Sequence, residues 1–140
     1  MRILFIGDIV GSPGRQMLQQ HLPALKEKIC PNLTIVNGEN AAHGKGITKK
    51  IYHQLLGCGA DYITMGNHTF SKSELKMFIQ EADRLIRPVN LAPVELGEGV
   101  RIARVNGKWI GMVNLCGEVF MDNVVRSPFA CMSEILNRIS

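Results

Sequence analysis

Five residues with side chains suited to holding metals or moving protons follow directly on short apolar runs: Asp8 after RILFIG, Glu39 and Asn40 after LTIVNG, and Asn67 and His68 after DYITMG. A glycine stands before the polar residues each time, Gly7, Gly38 and Gly66. Taken singly, each has an ordinary structural explanation as a loop cap, a turn residue or a half-exposed imidazole. Taken together, that explanation needs the same coincidence three times, so a shared site is favoured. Carboxylate and amide oxygens suit hard cations such as Mg²⁺, Mn²⁺ or Fe, and a carboxylate such as Glu39 can bridge two of them. Two metals about 3.5–4 Å apart can activate water and stabilise the leaving oxygen in phosphoester hydrolysis. His68, beside Asn67, is then placed to protonate that oxygen. Phosphodiester cleavage is the natural reaction for this set.

Such a site needs elements that bring three distant segments together. Residues 2–7 form a continuous β-favouring run, which suits a strand buried on both faces. Ser12 reads as an N-cap and Pro13 as the first helical position, with Met17, Leu18, Leu22, Leu25 and Ile29 at helical spacing and an interruption expected at Pro23. Residues 33–38 lead through a glycine-containing loop to a helix near 49–56, ended by Gly57 and Gly59. Residues 61–66 lead to a third helix, where Ser71-Lys72-Ser73-Glu74 reads as a capping box ahead of Leu75, Phe78, Ile79 and Ala82. Three successive βα units predict a parallel α/β sheet whose strands end along one edge, where ligands bind. Beyond Arg84, VRIARV and KWIGMVNL flank Asn106-Gly107, a strong hairpin signal, so the sheet is expected to be mixed. A last helix is expected from about Phe129, without a closing glycine or a following strand.

Other function classes fit poorly. The net charge is +4, yet the sixteen Lys and Arg are scattered and aromatics are only 6%, unlike a general nucleic-acid surface. GDIVGSPG lacks the G-x-G-x-x-G spacing of a dinucleotide site, and NGENAAHGKGIT has Gly46 where a P-loop needs Ser or Thr. Cys30, Cys58, Cys116 and Cys131 lie far apart without zinc-site spacing, as expected for reduced thiols in a cytoplasmic protein. The first apolar run is too short for a signal sequence and no stretch approaches a membrane span. The 140 residues fit a single domain, 1–140, with a real core.

GDIVGSPGR, NGENAAHGKGIT, GNHTF, RPVNLAP and NLCGEVFMD, in that order across nearly the whole chain, resemble the YmdB-type branch of the calcineurin-like metallophosphoesterases. The resemblance implies an α/β/β/α sandwich, of which this chain is half, and metal-dependent hydrolysis of phosphodiesters, typically 2′,3′-cyclic nucleotides, with two divalent ions, Fe or Mn. It implies that Asp8, Glu39, Asn40 and Asn67 are metal ligands, with Glu39 as the bridge, and that His68 is the catalytic acid. It also implies a protein about twice as long, with three further metal-binding histidines beyond this sequence. The family usually has Trp-Asp where this chain has Phe70-Ser71, loosening support for His68, and Arg where it has Glu118, removing a positive charge near the phosphate.

The remaining candidates carry less. His21 lies in the first helix away from the strand ends, and His53 reads as a surface residue. His43 is in the right loop but sits beside Gly44, where exposure is expected. Lys45 can meet a substrate phosphate as a point charge or simply be solvated. The expectation is therefore a C-terminally truncated metallophosphoesterase domain carrying one wall of the site, holding one ion or none and turning over slowly or not at all. Two other readings stay open: a non-catalytic regulatory or RNA-associated module, and a truncated product with no independent activity. The latter's exposed sheet edge makes a homo-oligomer plausible.

Overall fold

The computed structural model describes residues 1–139. Strands β1 (Ile3–Ile6), β2 (Leu33–Asn37), β3 (Tyr62–Thr64) and β4 (Leu85–Ile86) form a parallel sheet in sequential order. Its register pairs Ile3 with Leu33, Ile35 with Tyr62 and Ile63 with Leu85. The connections carry helices α1 (Gly11–Ile29), α2 (Lys49–Gly57) and α3 (Glu74–Phe78), the last running into a 3₁₀ turn at Ile79–Glu81.

Strand side chains alternate between two faces, and each face has its own core. Val36 and Ile63 pack with Leu18 and Leu22 of α1, Ile51 and Leu55 of α2, and Leu75 and Phe78 of α3. Leu33, Ile35 and Ile86 face the other way, onto Met112. Met112 belongs to a hairpin of β5 (Val100–Val105) and β6 (Lys108–Val113), whose turn residues Asn106 and Gly107 both take positive φ, at 50° and 79°. That backbone is what a two-residue hairpin turn requires, which is why Asn-Gly marks it. Parallel and antiparallel pairing thus both occur, divided between two stacked sheets. Beyond the hairpin lies α4 (Pro128–Ile139), whose Ile139 reaches the outward side of Gly111. The layers run helices, parallel sheet, antiparallel sheet, helix: the α/β/β/α arrangement.

Four local expectations need correction. β1 is not buried on both faces: Leu4 and Ile6 join the helical core, but Ile3 and Phe5 are 52% and 56% exposed on the edge of the sheet. α1 starts at Gly11 after Val10, which makes no side-chain cap, so Ser12 and Pro13 lie inside its first turn. Proline is tolerated there because first-turn amides lack helical partners anyway. The helix also runs on through Pro23 to Ile29, held to the core by buried Leu18 and Leu22. The expected Ser71–Glu74 capping box does not form: Ser71 Oγ faces His68 Nδ1, and α3 begins after Ser73, which makes no side-chain cap. Glu74 Oε1 instead accepts from Lys49 N at 3.0 Å, and with Thr48 Oγ1, which accepts from Ile51 N, it caps α2. Among the described residues no helix is long and apolar enough to cross a membrane.

Candidate functional site

The carboxyl ends of β1, β2 and β3 are tied into one ledge by backbone hydrogen bonds. Ile9 N donates to Asn37 O at 3.0 Å, Gly38 N to Thr64 O at 2.9 Å, and Gly11 N to Asn40 O at 2.9 Å. These bonds bring Asp8, Glu39, Asn40 and the turn 66–68 together across nearly sixty residues of sequence.

Asp8 is exposed, at a positive φ of 20°, and its Oδ1 accepts from Asn40 Nδ2 at 2.7 Å. That bond fixes which way the Asn40 amide points. Its other end, Oδ1, is buried and has no hydrogen-bond donor among the described residues. An acceptor left unpaired in such a place costs about 1–3 kcal/mol. The neighbouring Glu39 carboxylate is held only loosely, by Asn37 Nδ2 and His68 N, each at 3.4 Å. It lies against Gly66, in the space that a β-carbon there would occupy. Thr69, fully buried, closes the 66–69 turn, its Oγ1 donating to Gly66 O at 2.6 Å. Ser71 Oγ stands 3.4 Å from His68 Nδ1 and steadies the ring. Asn67 is exposed, and with His68, Ser71, Leu91 and residues 120–123 it lines a cleft of about 250 Å³. Cys116 is buried nearby; burial pushes its thiol up and the Glu39 carboxylate adds to the rise, so it keeps its proton at neutral pH.

Two carboxylates and two amides are hard oxygen donors, and Asn40 Oδ1 is an acceptor without a donor. Both features fit a divalent cation of the Mg²⁺, Mn²⁺ or Fe²⁺ type. Among the described residues no three His, Cys, Asp or Glu side chains converge, so oxygens from mixed carboxylate and amide groups make up this set. Lys45 is exposed in the loop after Asn40, between Gly44 and Gly46, both at positive φ. His43 is exposed in the same loop at a φ of 55°. His53 is exposed on α2, and His21 lies on α1 beside an apolar groove with Ile6 and Leu18.

Two supporting amides carry roles that the sequence reading did not assign. Asn114 Nδ2 donates to Met65 O at 2.6 Å and to Ile86 O at 2.9 Å, joining the ends of β3 and β4 to the hairpin layer. Asn90, fully buried, donates from Nδ2 to Cys116 O at 2.8 Å and Arg126 O at 3.0 Å, and accepts Cys116 N at 2.9 Å. The available signal was an Asn directly after an apolar strand or loop run, in RPVNLAP and NLCGEVFMD, without the glycine that stands before the polar residues at the first three strand ends.

A YmdB-like protein family model matches residues 4–140. Over 136 residues the chain is 50% identical to a 2′,3′-cyclic-nucleotide 2′-phosphodiesterase of Bacillus subtilis, covering 97% of this chain and 51% of that one. A crystal structure of a novel phosphatase from Mycoplasma pneumoniae superposes with a TM-score of 0.91 at 38% identity, covering 99% of this chain and 51% of that one. A hypothetical protein from Thermus thermophilus superposes with a TM-score of 0.90 at 34% identity, over 100% of this chain and 54% of that one. The chain spans about half the length of the relatives it matches. With its fold shared and its family model matched almost from end to end, the chain belongs to the YmdB-like protein family.

Proposed function

We propose that this chain supplies the carboxylate-and-amide wall of a metal-dependent phosphodiesterase site acting on small phosphodiesters of the 2′,3′-cyclic-nucleotide type. The observation that carries this reading is the Asp8–Asn40 bond, which leaves Asn40 Oδ1 bare and buried beside the loosely held Glu39 carboxylate. Asp8, Glu39, Asn40 and Asn67 would hold the ions, Fe or Mn by family and Mg on donor chemistry, with Glu39 shared between them. Two such ions, when bound, acidify water and neutralise charge on the phosphoryl oxygens. His68, as an imidazolium, would deliver the proton of the ring nitrogen not turned to Ser71 to the ester oxygen as the water oxygen bonds to phosphorus and the ester bond breaks. Lys45 is assigned to the substrate phosphate as a mobile point charge. Four oxygen donors without an imidazole bind these ions weakly, so slow turnover is expected of this chain by itself.

The test is a Mn²⁺ titration by calorimetry alongside hydrolysis of 2′,3′-cyclic AMP. Saturable Mn²⁺ binding should be lost in Asn40→Ala, and any hydrolysis should vanish with EDTA and in His68→Ala, while His68→Ala still binds Mn²⁺. Failure to bind Mn²⁺ at millimolar concentration, or hydrolysis indifferent to EDTA, would overturn the reading.

A further inference from the structure

We propose that Phe120 is the platform on which the base of a nucleotide substrate stacks; this rests on the phosphodiesterase reading of the same site. Phe120 is 99% exposed and its neighbour Val119 75% exposed, both on the loop 117–125. Phe120 also holds a positive φ of 60°, a conformation that bulky L-residues rarely adopt. An apolar ring kept in water on an unfavourable backbone is not there for the core.

The loop presents it in a fixed place. Both of its ends are closed by buried Asn90, through Cys116 on one side and Arg126 on the other, and Val125 N donates to Asn90 O at 2.9 Å. Ala92 N donates to Asn123 O at 2.9 Å, and Leu91 bridges to Val124. This is a compact loop with joined ends, a design that often carries function. Its tip stands over the cleft that contains Asn67 and His68, with Phe120 itself forming part of the wall.

Size then decides what meets the ring. The cleft, about 250 Å³, is below the roughly 300–1,000 Å³ that usually encloses a small ligand. It accepts a phosphodiester at His68 and leaves the attached base outside, on the rim. An aromatic face suits any base, because every base offers a π-face, and Asp122 and Asn123 beside it offer hydrogen bonds to base edges. The platform therefore selects nucleotides over base-free phosphodiesters more strongly than one base over another.

The test measures affinity for adenosine 5′-phosphate and for ribose 5-phosphate, which differ only in the base, by calorimetry with Mn²⁺ present, in the native chain, Phe120→Ala and Phe120→Trp. The native chain should prefer the adenosine compound about tenfold, equal to about 1.4 kcal/mol. Phe120→Ala should erase that preference, Phe120→Trp should keep it, and ribose 5-phosphate should bind all three alike. Equal binding of both probes by the native chain, or an unchanged preference in Phe120→Ala, overturns the proposal. So does sedimentation showing that Phe120→Ala dissolves a dimer while leaving nucleotide affinity intact, since the ring is then a contact between copies. Base-dependent binding by a chain that shows no saturable Mn²⁺ binding refutes the phosphodiesterase reading and leaves the platform standing; saturable Mn²⁺ binding with EDTA-sensitive hydrolysis but base-independent affinity does the reverse.

Discussion

Glu39 and Gly66 are in direct contact: the carboxylate lies in the space that a side chain at position 66 would fill. The absence of a β-carbon there lets the Glu39 carboxylate from the end of β2 reach across the turn after β3. The obstructing atoms are the free end of a flexible side chain, so an added methyl group displaces the carboxylate more easily than it disturbs the fold. Gly66→Ala should therefore cost at most about 1 kcal/mol in urea unfolding, the low end of the overpacking range. On the proposed metal-binding role of Glu39, it should weaken Mn²⁺ by about tenfold or more, because the carboxylate has moved. Unfolding and metal titration on the same preparation separate the two effects, and equal losses in both would argue against a contact specific to the site.

Asn40 is oriented by Asp8, which accepts its amide hydrogen at 2.7 Å. Asn40→Asp replaces that donor with a second carboxylate at hydrogen-bonding distance, and like charges so placed repel. In EDTA the variant should melt below the native chain, by an amount corresponding to about 1 kcal/mol. Added Mn²⁺ should raise its melting temperature more than that of the native chain, since a cation relieves the repulsion. A variant equally indifferent to EDTA and Mn²⁺ would show that residue 40 does not meet the ion.

Tyr52 links α2 to the turn before β4, accepting from Arg84 N at 3.3 Å and donating to Asp83 Oδ1 at 3.5 Å. Burial pushes its phenol up, the Arg84 amide opposes that, and Asp83 adds to it. An acid whose folded pKa is raised contributes stability that is complete below its unfolded value, about pH 10, and is lost as pH climbs through the folded value. The urea midpoint should fall above about pH 10, and Tyr52→Phe should make that alkaline decline shallower. An identical decline in the variant would assign it to other groups.

The strand ends were legible because a glycine followed by oxygen-donor residues recurs after three apolar runs, and parallel βα topology places such ends side by side. The hairpin was legible for the same local reason, since Asn106-Gly107 names its own turn. What escaped was set by distant partners. Glu74 has the spacing of a capping box, yet its carboxylate is captured by Lys49, twenty-five positions away, on α2. RILFIG reads as doubly buried, yet β1 is an edge strand and the hairpin core covers Leu33, Ile35 and Ile86 but leaves Ile3 and Phe5 exposed. Asn114 and Asn90 work through backbone groups remote in sequence, which no local spacing encodes.

Asn90 gives the sharpest stability prediction, because one buried amide serves two ends of the loop 117–125. Its Nδ2 satisfies Cys116 O and Arg126 O, and its Oδ1 satisfies Cys116 N. Asn90→Ala leaves three backbone groups without that partner, and water reaches Arg126 O more readily than the buried Cys116 groups. Each unsatisfied buried group costs about 1–3 kcal/mol, so a total loss of about 2–4 kcal/mol is expected once solvent relieves the outer one. Asn90→Asp preserves the acceptor for Cys116 N but turns a donor toward two carbonyls into a charge, and should be no better than alanine. Amide exchange tests where the loss falls: Cys116 and Val125, whose N–H groups bond to Asn90, should lose protection far more than Val36 in the central strand. If protection falls evenly over the whole chain, Asn90 supports the core and not the loop, and the fixed placement of Phe120 beside His68 loses its structural basis.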